Sequence, residues 1–193
     1  MLRIWPSADR IERGHDLPRG TLAAVAFAPD RLRPAITGEI TDEQWRSAIA
    51  AEIAERCGSQ SRALGAVAEW SRLEPHVDHE VVTLLRQVRA VVPLALVSNG
   101  TTRLEHDLAR QGLSELADVV INTARIGYIK PDHAVYRIAS ERIGVPAHRC
   151  LFIDDSEANV IAARELGMIG VHYRQIDDLR TALAGLPAPT RAV

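Results

Sequence analysis

Three polar groups stand where apolar runs end, and their types suit phosphate and a divalent cation. Asp154 and Asp155 follow Cys150-Leu151-Phe152-Ile153. Adjacent carboxylates repel each other, and a hard cation relieves that repulsion. Mg2+ is commonly held by one or two carboxylates with phosphate and water. The same letters also suit a helix start, since Asp155 or Ser156 can cap the segment that follows. Ser98 and Asn99 close a second apolar run that begins at Pro93, and Gly100-Thr101 open what comes next. Hydroxyls and unbonded backbone N–H groups at such a turn suit a phosphate. An ordinary strand-to-helix turn with a Ser or Asn cap accounts for the same residues.

Lys130 is the third group. Of the 23 basic residues, 22 are Arg and this is the one Lys. On that background it points to a position where Arg does not substitute. It precedes Pro131, so its backbone is extended. Its compact ammonium suits neutralising a phosphate and a carboxylate together; a solvated surface Lys is the alternative. His76 and His79 have weak metal spacing and read better as a solvated pair.

These residues need elements to bring them together. Lys130 lies 32 residues after Ser98 and 24 before Asp154. Each gap is about one βα unit, so the three groups converge on one sheet rim. From residue 76 the chain alternates apolar strands (93–98, 118–122, 150–153, 169–173) with helices (79–91, 101–111, 132–143, 157–166, 177–184). Continuous apolar strands between helices predict a parallel sheet covered on both faces. Before residue 76 the pattern is helical. Thr41 with Gln44 forms a capping box for a helix over 42–56. Trp45, Ile49 and Ile53 share one face of it. Further helices are predicted over 60–70 and over 20–28, the latter ending at Pro29. This gives a helical cap region over 1–75, an α/β core over 76–186 and a flexible tail over 187–193.

Composition narrows the class. A formal net charge of -2 with scattered basic residues offers no footprint for nucleic acid or an anionic membrane. No apolar run is long enough to span a bilayer. Cys57 and Cys150, without metal spacing, fit a reducing, cytoplasmic setting.

Taken together, three segments resemble motifs of the haloacid dehalogenase (HAD) superfamily, which includes many Mg2+-dependent phosphatases. Leu96-Val97-Ser98-Asn99-Gly100-Thr101 resembles its second motif, Gly127-Tyr128-Ile129-Lys130-Pro131-Asp132 its third, and Leu151 to Met168 its fourth. The resemblance implies a Rossmann-like, doubly wound core with a small helical cap over the site. Ser98, Asn99 and Lys130 would bind phosphate, with Ser98 and Lys130 catalytic. Asp155 would be a metal ligand for Mg2+, with Asp154 beside it as a second ligand or tuning Lys130. Asn159 falls where many relatives carry an acid. Trp5, Phe27 and Trp45 either line the cap or belong to its core, the latter being the better reading. Caps of this kind sometimes help to form a homodimer.

The family's first motif, a strand ending in Asp-x-Asp, is not found. Its first Asp forms an aspartyl-phosphate and its second is the general acid and base. No Asp-x-Asp occurs in the chain. The run from Ala23 to Asp30 is broken by Pro29 and has Leu32 two positions on. Met1-Leu2 begins where that motif's end would be. We expect a natural start about 10–20 residues upstream, the length of a short strand and its lead-in, or else a truncated pseudoenzyme. The first core strand would then be absent and its neighbours' edges exposed. The implied activity is Mg2+-dependent hydrolysis of a small phosphorylated metabolite, with sugar phosphates among the candidates. Alternatives are 2-haloacid dehalogenation and phosphate-ligand binding without turnover.

Overall fold

The structure, a computed structural model, describes residues 2–185. The tail expected over 187–193 and the question of Met1 lie outside these residues. The described chain opens with β1 (Arg3–Ile4) and five helices: α1 (Asp9–Gly14), α2 (Thr21–Ala26), α3 (Pro29–Thr37), α4 (Asp42–Cys57) and α5 (Gln60–Trp70). The capping box of Thr41 and Gln44 is present at α4, and Gly58 ends that helix in the left-handed conformation. The shared face of α4 buries Trp45, Ile49 and Ile53 against Leu22, Val25 and Ala66. The Trp45 indole donates to the Ala26 carbonyl at 3.2 Å, which satisfies its one polar atom in the core.

The predicted helix over 20–28 ends at Ala26 instead, and Pro29 begins α3. A proline at a helix start has no N–H to leave unbonded and its φ is already helical. Of the three aromatic residues expected in the cap core, Trp45 is buried, but Trp5 and Phe27 are more than half exposed. Phe27 lies past the last turn of α2 and meets Trp70 edge-on at 6.3 Å.

After residue 75 come β2 (His76–Val77), α6 (His79–Arg89), β3 (Ala95–Ser98), α7 (Leu104–Arg110), β4 (Val119–Asn122) and α8 (Thr123–Ile126). They are followed by α9 (His133–Ile143), β5 (Leu151–Asp154), α10 (Glu157–Glu165), β6 (Ile169–His172) and α11 (Ile176–Leu183). His76 and His79 are exposed, with rings 6.3 Å apart. β1 and β2 pair antiparallel, an element that the sequence did not announce.

Alternation along the strands sorts their side chains to two faces. Leu96, Val120 and Ile153 pack with α6, α7 and α11, around Val81, Leu108 and Leu179. Val97, Ile121 and Phe152 pack with α9 and α10, around Val135, Tyr136 and Ala163. This is the doubly wound arrangement, with helices on both faces. The parallel layer is nevertheless in two pieces. β3 pairs with β4, and β5 with β6, but among the described residues no backbone ladder joins β3 to β5. Every residue of β3 and three of the four in β5 are only half-buried, whereas strands inside a covered parallel sheet are buried on both faces. Leu2 packs in the same cluster as Leu96 and Ile153.

Candidate active site

The three polar groups meet at the carboxyl ends of β3 and β5. Ser98 is the last residue of β3, in register with Asn122 of β4. The turn after it is built closely. A side chain at Gly100 would press on Leu104 and on the Asn122 amide, both within 3.2 Å of an added Cβ. The predicted helix over 101–111 begins only at Leu104. Thr101 to Arg103 form a separate turn.

Asn99 and Lys130 clasp each other through a reciprocal pair of bonds. The Lys130 N–H donates to Asn99 Oδ1 at 2.8 Å, and Asn99 Nδ2 donates to the Lys130 carbonyl at 3.1 Å. This fixes the Lys130 backbone to the turn after β3. Its side chain then reaches inward. Nζ donates to Asp154 Oδ2 at 2.6 Å and to the Val97 carbonyl at 3.1 Å, and stands 6.0 Å from the centre of the Phe152 ring. The Val97 carbonyl belongs to β3 and Asp154 ends β5, so Lys130 bridges the two halves of the layer where backbone pairing does not.

The two aspartates have different surroundings. Asp154 is buried, and Oδ1 accepts from the Ser156 N–H at 2.8 Å and from Asn159 Nδ2 at 3.0 Å. With Lys130, three donors serve its two oxygens, as a buried carboxylate requires. Asp155 is exposed at the rim. Burial raises its pKa, but hydrogen bonding and nearby positive charge, that of Lys130 included, outweigh this and hold it below the usual carboxylate range. Ser156 occupies the N-cap position of α10 without a side-chain cap bond. The capping alternative for Ser156 therefore does not describe this turn. For a divalent cation, Asp155 is the more exposed of the two carboxylates, and Asp154 is paired with Lys130. One carboxylate plus phosphate and water is within the usual Mg2+ pattern, so the residues fit the ion. Among the described residues no cluster of three or more His, Cys, Asp or Glu side chains forms a ready-made site.

Two contributors were not anticipated from sequence. Asn122, buried at the end of β4, donates to the Thr101 carbonyl at 2.9 Å and to Glu105 at 3.0 Å. Its signal was a polar residue closing an apolar strand. Asp42, at the start of α4, accepts from the Thr101 hydroxyl at 2.7 Å. In the sequence it is only the first residue of the helix that Thr41 and Gln44 cap.

A haloacid dehalogenase-like hydrolase family model matches residues 12–167. The chain belongs to this family. Among relatives of this HAD-like hydrolase, an (S)-2-haloacid dehalogenase of Pseudomonas putida is 29% identical over 100 residues, covering 51% of this chain and 44% of that protein. A GMP/IMP nucleotidase of Escherichia coli (strain K12) is 39% identical over 70 residues, covering 36% of this chain and 30% of that one. The matched stretch thus spans less than half the length of either. In fold, the HAD-like hydrolase resembles a HAD family enzyme of Bacteroides thetaiotaomicron crystallised as a magnesium complex. The TM-score is 0.69 at 20% identity, covering 89% of this chain and 87% of that one. Among the described residues no helix is long and apolar enough to cross a membrane, and Cys57 and Cys150 are free thiols.

Proposed function

We propose that this chain carries the phosphate- and cation-binding half of a Mg2+-dependent phosphomonoesterase site for a small phosphorylated metabolite, a sugar phosphate being one candidate. The observation that carries the reading is Lys130, clasped to Asn99 and paired with Asp154 beside the exposed Asp155. A fixed ammonium next to a carboxylate suited to a cation matches the charges of a phosphate with its metal. Ser98, Asn99 and Lys130 receive the phosphoryl oxygens, and Asp155 holds Mg2+. When bound, the ion neutralises charge on those oxygens. Lys130 stabilises the charge that develops there, and its clasp with Asn99 removes the need to reorganise.

The attacking carboxylate is not accounted for by the chain's own motifs, since it holds no Asp-x-Asp. We place it on a strand lying between β3 and β5. There it would pair with both half-buried edges and end beside Lys130. On this reading the chain as written binds inorganic phosphate with Mg2+ and turns nothing over.

The test is calorimetric titration of phosphate with and without Mg2+, alongside assays of p-nitrophenyl phosphate and 2-chloropropionate. Both assays are repeated after fusing a strand ending in Asp-x-Asp ahead of Leu2. We expect Mg2+-dependent phosphate binding by the chain alone, lost in Lys130→Ala, and EDTA-sensitive phosphatase activity only in the fused form. Chelator-insensitive halide release would establish the dehalogenase instead. Phosphate binding without turnover in either form would make the chain a binding protein.

A further inference from the structure

We propose that Asp42, on the cap, is a positioning residue for the turn Ser98–Thr101 of the core. The role extends the phosphate-site reading of that turn and rests on it. α4 begins at Asp42, and its first backbone N–H groups have no partner inside the helix. The Asp42 N–H is not left to solvent but donates to the Thr102 hydroxyl at 2.9 Å. Its carboxylate takes the Thr101 hydroxyl at 2.7 Å. Helix capping alone would explain neither these partners on the core nor the burial of the side chain, which is 3% exposed.

A buried carboxylate needs a counter-charge. Arg46, one turn along α4, supplies it with Nε 2.5 Å from Asp42 Oδ2. The guanidinium also donates to the Ser71 hydroxyl at 2.8 Å and lies over the rings of Trp45 and Trp70, at 5.5 and 5.1 Å. Ser71 is tied in turn to the core, because its carbonyl accepts from Arg103 at 3.0 Å. The cap therefore grips residues 101–103 at three points, and Arg46 orients the carboxylate that holds Thr101.

The consequence falls on the turn. Asn99 is clasped by Lys130, and Thr101 is held by its carbonyl through Asn122 and by its hydroxyl through Asp42. Gly100 lies between two pinned neighbours, so the turn is ordered before any anion arrives. Asp42 is the contribution of the cap to that order, and moving the cap away releases it.

Hydrogen–deuterium exchange of the whole chain tests this, comparing wild type with Asp42→Ala, Asp42→Asn, Thr101→Val and the Asp42→Ala/Thr101→Val double variant. Loss of a hydrogen bond to a charged group should speed exchange over 100–103 about tenfold in Asp42→Ala and in Thr101→Val. The double variant should go no further. Asp42→Asn, which keeps an acceptor oxygen, should stay nearer wild type, and β5 and α9 should be unchanged. Wild-type exchange over 100–103 in Thr101→Val, or effects that multiply in the double variant, would overturn the proposal. Thr101→Val decides alone if Asp42→Ala does not fold. Titration with inorganic phosphate and Mg2+ provides the second readout. Affinity about tenfold weaker in Thr101→Val, measured well below the melting temperature of both proteins, is expected; unchanged affinity beside a loosened turn would refute positioning. Wild type that binds no phosphate would instead refute the phosphate-site reading, while the exchange data still judge the Asp42 clamp.

Discussion

Lys130 Nζ lies 2.6 Å from Asp154 Oδ2, and both side chains are nearly buried, at 11% and 7% exposure. The two residues come from different βα units, so this pair closes the carboxyl rim of the core. Removing one member of a buried pair costs more than the pair contributes, because the other charge stays buried.

Lys130→Ala should therefore destabilise the protein as well as abolish phosphate binding. Asp154 keeps the Ser156 and Asn159 donors, so the loss should be near the lower end for such pairs, about 3 kcal/mol, or roughly 6–12 °C in Tm. Adding Asp154→Asn to Lys130→Met should recover much of it. Urea and thermal melts measure both. A loss below about 0.5 kcal/mol, the range of an ordinary surface substitution, would show that the pair is solvated.

Asn159→Asp tests the cation reading. The Asn159 amide donates to Asp154 at 3.0 Å; an aspartate there would set carboxylate against carboxylate. Stability without Mg2+ should fall by about 1–3 kcal/mol. Saturating Mg2+ should restore it if the Asp155 rim binds the ion. Melts in EDTA and in Mg2+ distinguish the cases, and equal losses in both would count against a metal site.

Gly38→Ala probes the docking of the cap. Gly38 has φ +80°, and an added Cβ would run into the Ala124 carbonyl of α8. Gly20 has φ +83° but open space around it. Gly20→Ala should cost the left-handed backbone alone, about 1–2 kcal/mol. Gly38→Ala should cost clearly more and shift Trp45 and Trp70 fluorescence. Equal costs in denaturant melts would mean that α3 and α8 separate easily.

Cys150 supplies a pH signature. Burial pushes its thiol up, while a hydrogen bond with Ser140 pulls the other way and does not offset it. At any pH near neutral the reactive thiolate is then scarcer than in an ordinary thiol. Alkylation of Cys150 by iodoacetamide should be slower than that of glutathione at pH 8. Its rate should keep rising beyond the ordinary thiol value of about 8.5. Peptide-resolved mass spectrometry across pH 7–10 checks this; a rate that levels off at or below the ordinary value would show that burial does not hold this thiol protonated.

The core strands, the helices that cover them and the three polar groups at one rim were all legible in the residues. Apolar runs, capping letters and glycine stops act over a few positions, so the local pattern carries them. It also placed Ser98, Lys130 and Asp154-Asp155 one βα unit apart. It could not tell which aspartate turns inward to Lys130 and which stays at the rim, because that depends on the twist and packing of β5. Nor could it show that Asp42 leaves its own helix to hold Thr101, 59 residues away. Trp5 and Phe27 carried the letters of a core and ended exposed, since Trp5 lies outside any helix or strand and Phe27 falls past the last turn of α2. The division of the parallel layer between β3 and β5 was likewise decided by tertiary structure. Strand propensity belongs to single segments, whereas a ladder needs a neighbour at the right distance.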